Sequence, residues 1–231
     1  MGSGRTGASR PTKPLRAVSY TGPARRSRST SRRPEPAHPN QPRHASSGWG
    51  ATPLELAIGA TRYGSGRPKL ATRVRLHGLE ALHHVLEQLD SRTRSSVRDE
   101  AAGLADRGVT AILRGSTKYP RLLDLLENAS PALFTLGNSS LLNKSSIGIC
   151  GSRNVSDEGL RAAQNCGEMA ATQGLISVSG YARGVDMATH VSTLEHGGST
   201  IIVLPEGIQN FKVKRGEIST VWDPSRTLVV S

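Results

Sequence analysis

Aromatic residues are scarce: two Phe, two Trp and four Tyr, 3% of 231 residues. So few rings leave little material for the stacking platforms on which single-strand binders hold bases. Cysteine is scarcer still. Cys150 and Cys166 stand in no metal or redox spacing and fall in apolar-patterned segments, which predicts buried thiols in a reducing cytoplasm. No apolar run near the start is long enough for a signal peptide, and none anywhere approaches a membrane span. Acidic residues are nearly missing from one region only. Residues 1–50 hold ten Arg or Lys against a single acid, Glu35, whereas residues 51–231 hold twenty against seventeen. The formal charge of +12 therefore sits mostly in a tail, and does not by itself make the rest a nucleic-acid binder.

That tail lacks large apolar residues as well. "RRSRSTSRRPEPAHPNQPRHASSGWG" cannot bury enough surface to offset an ordering entropy of roughly 1–2 kcal/mol per residue. Residues 1–50 are predicted to be a disordered basic tail. A basic arm that touches nucleic acid is the functional alternative, and disorder does not exclude it. The stretch "GSGRTG" at Gly2–Gly7 matches a dinucleotide fingerprint letter by letter, but follows no strand and precedes no helix, so it is set aside.

Residues 51–107 read as a helical region. "TPLELAIGA" offers a capping Thr52, Pro53 at the first helical position and Glu55 three residues after the cap. "RLHGLEALHHVLEQL" spaces Leu76, Leu79, Leu82, Leu86 and Leu89 by threes and fours, which predicts one apolar stripe. "SSVRDEAAGLADRG" is a third helix. From residue 108 the pattern changes. "GVTAILRG" and "ALFTLG" read as strands with a Tyr-Pro turn and a short helix between them. "SIGIC", "LISVSG", "STIIVLP" and "RTLVVS" are strands, and the first three alternate with the helices "DEGLRAAQNCGEMAATQG" and "VDMATHVSTLEHGG". Strands this apolar, alternating with helices, predict an α/β fold: a Rossmann-like parallel sheet with helices on both faces.

Two glycine-rich loops follow the first two strands of that alternation, "GSRNVSDEG" and "SGYARGVD". In open parallel sheets ligands bind beyond the carboxyl ends of strands. A helix starting beyond each loop would aim N–H groups and partial positive charge at that edge. Gly151 and Gly180 allow close approach, Ser152, Ser156 and Ser179 bring hydroxyls, and Arg153 and Arg183 bring guanidinium forks matched to phosphate. The bland alternative is that Ser156 only caps its helix and Arg153 is solvated. Asp186 and His190, at i and i+4, suit acid–base or metal chemistry by spacing; with no third ligand visible, a carboxylate that orients the histidine or caps its helix is the better reading.

"YPRLL…PALFTLGN", "IGICGSRNVSDEG", "SVSGYARGVDMATH" and "GGSTIIVLPEGI" resemble, in order and spacing, the DNA-processing protein A family (DprA, also called Smf). The resemblance runs from about Gly108 to Ser231 and implies a Rossmann-like domain over residues 108–231. It also implies single-stranded DNA binding, loading of a RecA-type recombinase, a possible homodimer, and no bond-breaking chemistry or cofactor. Carried onto this chain, the strand-binding residues would be Gly151, Ser152, Arg153 and Ser156 in one loop and Ser179, Gly180, Arg183 and Gly184 in the other. After "IIVLP" the chain departs from the commonest family pattern: "EGIQNFKVKRG" replaces a Gly-rich turn, and its Lys212, Lys214 and Arg215 would extend the basic surface. The family continues past "TLVVS", so the domain is expected to be incomplete at that end.

Two other readings stay open. One is a nucleotide hydrolase of the phosphoribohydrolase type, with Glu206 and the Asp186–His190 pair as its acid–base groups, although "PEGI" lacks that group's Pro-Gly-Gly-x-Gly-Thr loop. The other is a folded part that binds only protein, with any DNA contact left to the tail.

Overall fold

A computed structural model of the chain describes residues 18–19, 50–64, 66–213 and 216–231. The expectation of tail disorder therefore falls outside the described residues except at Val18, Ser19 and Gly50, as do Lys214 and Arg215.

Thr52 opens α1 (Pro53–Tyr63) with a full capping box: its hydroxyl accepts from the Glu55 N–H at 3.2 Å, and Glu55 accepts from the Thr52 N–H at 2.6 Å. The long leucine stripe does not form. The chain breaks at Gly78 into α2 (Arg67–His77) and α3 (Glu80–Glu87), so residues on the two sides no longer share one helical phase. Leu82 and Leu86 are buried, whereas Leu76 is 69% exposed and Leu79 also faces outward. Asp90 caps α4 (Ser91–Asp106) by accepting from the Thr93 N–H at 2.8 Å.

The sheet is mixed. The two-residue β1 (Val18–Ser19), β2 (Val109–Leu113), β3 (Ala132–Gly137), β4 (Ser146–Gly148), β5 (Ile176–Ser179), β6 (Thr200–Val203) and β7 (Thr227–Val230) lie in the order β1-β4-β5-β6-β7-β3-β2. The expected parallel pairing holds for β4-β5-β6-β7, while β3 pairs antiparallel with both β7 and β2. The last strand of the chain thus occupies the middle of the sheet, with every residue from Thr227 to Val230 buried.

Helix placement follows from handedness. From β4 to β7 the chain steps across the sheet in one direction only, and right-handed crossovers then leave all connections on one face. Accordingly α6 (Asp157–Thr172), α7 (Val185–Glu195) and α8 (Glu217–Val221) sit together, α7 packing on both of the others. The register sets Ile147, Ser177, Thr200 and Thr227 on the face they cover. Beside them α1, α3 and α4 pack on Val109, Leu113, Phe134 and Val229 in one continuous core. The second face is covered by less: Tyr119, Leu123 of α5 (Arg121–Asp124) and Leu141 of the 3-10 turn Ser139–Asn143, over Ile112, Leu133, Ile201 and Leu228. Helical segments lie on both faces, but very unequally.

One buried cation holds that thin cover in place. Arg114, 1% exposed, reaches the Asp124 carboxylate at 2.7 Å and the carbonyls of Asp124 at 2.9 Å, Leu126 at 3.1 Å and Ala129 at 3.3 Å. Tyr119 donates to the Ser130 carbonyl at 2.7 Å, and burial pushes its phenol up to about 12. Arg114→Met should leave those acceptors unpaired and cost about 2–3 kcal/mol. Urea unfolding checks this; an unchanged midpoint would mean that water replaces the guanidinium without loss.

Candidate nucleic-acid interface

Because β4, β5 and β6 run parallel, the loops that leave their carboxyl ends share one rim. The first covers residues 149–156 and the second 180–184; the third, after β6, is described over residues 204–213. The first two interlock through backbone. The Val185 N–H donates to the Ser152 carbonyl at 3.2 Å. Gly184, at φ 86°, packs on that turn so closely that a Cβ would collide with the Ser152 carbonyl and lie 2.9 Å from that of Arg153. A Cβ on Gly151 would sit 2.6 Å from Val185. Side chains complete the joint: Arg183 donates to Asn154 Oδ1 at 3.0 Å, and the Ser152 hydroxyl closes its own turn, accepting from the Asn154 N–H at 3.1 Å and donating to the Asn154 carbonyl at 2.6 Å.

Arg153 and Arg183 are both exposed, and among the described residues neither enters an ion pair. Two guanidinium groups from adjoining turns therefore face solvent at the same rim.

Other expected site residues do different work. Ser179 is buried and donates to the Ile149 carbonyl at 2.6 Å, so it lies behind the surface and ties β5 to the end of β4. Ser156 caps α6 by accepting from the Gly159 N–H at 3.3 Å, which is the bland role. The helix N-termini are not free anion sites either. Asp157 and Glu158 stand in the first turn of α6 and answer its dipole, and Asp186 in α7 accepts from the Ala182 N–H at 3.3 Å. Positive character at the rim rests on the guanidinium groups. Cys150, expected to be buried, is exposed where the first loop leaves the sheet.

His190 anchors the second loop from beneath. It is 0% exposed, and burial lowers its pKa below the ordinary 6.5, so the ring is neutral. The Gly180 carbonyl, 2.6 Å from Nε2, can only accept, which puts the proton on Nε2 and leaves Nδ1 to accept from the Thr200 hydroxyl at 2.6 Å. Ser177 then donates to Thr200 at 2.7 Å, giving a hydroxyl chain from β5 through β6 to the loop. Both members of the Asp186–His190 pair are thus engaged in holding backbone.

The third loop is tied down from two sides. Tyr181 packs on Phe211 with ring centroids 5.3 Å apart, and Phe211 on Trp222 at 6.0 Å. Arg107, at the end of α4, donates to the carbonyls of Gln209 and Phe211, the latter at 3.1 Å. Tyr181 and Arg107 were invisible in these roles from sequence, since their partners lie far along the chain. Lys212 is exposed next to buried Phe211. A groove of about 530 Å³ runs from Arg183 and Gly184 between α6 and α7. Glu168, Glu195 and Glu217 line it, so a polyanion is favoured at its Arg183 mouth and opposed along its length.

The stretch of chain that carries this rim is similar to known proteins. Residues 110–221, which include all three loops, match the family model of DNA recombination-mediator protein A. That match covers a little under half of the chain and makes it similar to the DprA/Smf family. Over 96 residues it is 34% identical to the DNA processing protein DprA of Streptococcus pneumoniae (strain R6), covering 42% of this chain and 34% of that one. It is 31% identical over 110 residues to DprA of Bacillus subtilis (strain 168), covering 47% and 37%, and 30% identical over 122 residues to Protein Smf of Escherichia coli (strain K12), covering 53% and 33%. The chain therefore spans about a third of the length of these curated relatives. The X-ray structure of DprA from Streptococcus pneumoniae superposes with a TM-score of 0.50 at 22% identity, over 78% of this chain and 62% of that one, and so shares the fold. Within the DprA/Smf match lie both interlocked loops and the histidine beneath them, whereas α1 to α4 precede it.

Two predictions follow from this packing. Gly184→Ala should cost roughly 1–3 kcal/mol, because both its φ and its contact exclude a Cβ; thermal unfolding checks it. His190 has a folded pKa below its unfolded value, so its contribution is complete above pH 6.5 and is lost as the pH falls below that value. The unfolding midpoint should drop between pH 7.5 and 5.5. In His190→Gln it should start lower and vary less with pH, and an identical pH dependence in the two proteins would contradict a neutral buried ring.

Proposed function

We propose that this chain binds single-stranded DNA at the rim formed by its first two loops, without breaking bonds, and acts as a recombination mediator. The observation that carries the reading is the backbone interlock at Ser152, Gly184 and Val185. It brings together the turns that carry Arg153 and Arg183, and neither side chain enters an ion pair among the described residues. Gly151, Ser152, Gly180 and Gly184 shape the backbone of that rim, with Ser156 and Ser179 as its supports. Lys212 widens its charge, and Lys214, outside the described residues, is proposed to do the same. Affinity comes from phosphate contacts and is largely blind to sequence, because Tyr181 is packed on Phe211 instead of standing ready to stack a base.

The mediator role is supported by the description of the matching family and by relatives named as DNA processing proteins. In that role the partner is a RecA-type recombinase in the cytoplasm, and the working form is a homodimer. No helix among the described residues is long and apolar enough to cross a membrane. The non-catalytic reading is supported by the engagement of Asp186 and His190 with backbone, which removes the acid–base pair that a nucleotide hydrolase would use.

Titration of labelled single-stranded and duplex oligonucleotides, followed by anisotropy at several salt concentrations, tests the site. Arg153→Ala and Arg183→Ala should each weaken single-strand binding several-fold and reduce the log–log salt slope by about 0.7, the value for one lost phosphate contact. Circular dichroism should be unchanged. Wild-type affinity and slope in both variants would take the loops out of the interface. Incubation with nucleoside monophosphates should release no free base.

A further inference from the structure

Helix α2 breaks electrostatic rules that its neighbours keep. Its sequence, RPKLATRVRLH, holds four Arg or Lys and no acid, whereas α1, α3 and α4 each carry carboxylates. No acid stands in its first turn, where the helix dipole is positive; Lys69 stands there instead. Gly66, at the cap, offers no side chain to the free N–H groups. Lys69 and Arg73, at i and i+4, repel each other where an opposite pair would attract. Each of these choices weakens the helix.

What holds α2 is its other side. Leu70, Ala71 and Val74 are buried, whereas Lys69, Arg75 and His77 are exposed and Arg73 is half-buried. At 3.6 residues per turn, Lys69, Arg73 and His77 form one line along the exposed side. Among the described residues Lys69, Arg73 and Arg75 enter no ion pair. Local rules of this kind are broken mainly at functional sites.

We propose that the exposed side of α2 is a second phosphate-binding surface, which takes the phosphodiester backbone of DNA through Lys69, Arg73 and Arg75. The proposal rests on the reading of this chain as a DNA binder, but not on the rim of Arg153 and Arg183. It also lies outside residues 110–221, the stretch that matches the family model. An anionic membrane is the other surface a cationic helix could meet, but it requires an apolar face to enter the lipid. That face of α2 is spent on the core, and Leu76 is the one large apolar side chain of the helix left outside. A nucleic-acid backbone needs only the cations, and guanidinium groups match phosphate well.

Lysine footprinting of the full chain locates the contact. Acetylation by an N-hydroxysuccinimide ester, read by peptide mass spectrometry, should slow several-fold at Lys69 when a single-stranded or duplex oligonucleotide is added. It should stay unchanged at Lys144, which is exposed just before β4. Equal acetylation of Lys69 with and without either oligonucleotide would overturn the proposal. So would protection of Lys69 by phosphatidylglycerol vesicles in place of DNA. Lys212 reports on the rim in the same spectrum, so the two surfaces fail separately.

Affinity supplies the second readout. Lys69→Gln, Arg73→Gln and Arg75→Gln together should weaken binding at least tenfold for one of the two oligonucleotides, and the one more affected identifies the form of DNA that α2 takes. The log–log salt slope should fall by about 2 for a single strand, three contacts at 0.7 each, or by about 2.7 for a duplex, at 0.9 each. Wild-type affinity for both forms would sink the inference. Because the substitutions remove repulsion and the clash with the helix dipole, the unfolding midpoint should hold or rise. A lower midpoint would show that the cations serve the fold, and would count against a binding role. Wild-type binding by Arg153→Ala beside a weakened α2 variant removes the loops and leaves α2 in place, and the reverse removes α2 alone.

Discussion

The site depends on one backbone contact, between the turn at Ser152 and Arg153 and the start of α7 at Gly184 and Val185. Two loops from neighbouring strands would ordinarily be held apart by side chains. Here a residue without a Cβ, in a conformation that other residues rarely adopt, lets one loop's carbonyls rest on the other's chain. Everything exposed at the rim is oriented by that contact. Arg183 crosses to Asn154, and Arg153 projects from a turn that Ser152 closes on itself. Beneath, the chain Ser177–Thr200–His190–Gly180 ties the second loop to two central strands. A rigid support of this kind lets two flexible arginines act from fixed bases.

Charge at the rim is arranged with some economy. The two helices that start there bring their own carboxylates, Asp157, Glu158 and Asp186, which answer the helix dipoles and quiet the N-termini. The groove between α6 and α7 is acidic as well. Among the described residues of the three loops, the exposed cations are those of Arg153, Arg183 and Lys212, a narrow band of attraction for a polyanion. Such a band suits a single extended strand better than a broad surface would, since it tracks one backbone and leaves the bases unread.

Much of the fold was legible because it is written in short-range signals. The Thr52–Glu55 capping box, the Ser156 cap, the apolar strands and the helices between them all depend on residues within four or five positions of each other. The leucine stripe failed for a related reason: a regular spacing says nothing across a break, and Gly78 makes one between Leu76 and Leu79. In the site, the exposure of Arg153 was within reach of sequence reasoning, whereas Gly151, read as admitting a ligand, makes room for Val185 instead. The inward turn of Ser179 was not, since its partner is the Ile149 carbonyl on the neighbouring strand. Nor was Arg114 singled out, although the Asp124 carboxylate and the carbonyls of Asp124, Leu126 and Ala129 converge on it, because most of those acceptors are backbone groups with no residue signature.

By itself the sequence determined which segments become strands and helices, where the two glycine-rich loops begin, and that the excess of positive charge lies before residue 50. Those properties follow from local sterics, capping and composition. Only the tertiary structure decided that the final strand lies at the centre of the sheet, that the helices crowd one face, and that the two loops lock together. It alone set β1 antiparallel to β4. Strand order and pairing direction are settled by contacts between residues tens or hundreds of positions apart, and no local pattern encodes them.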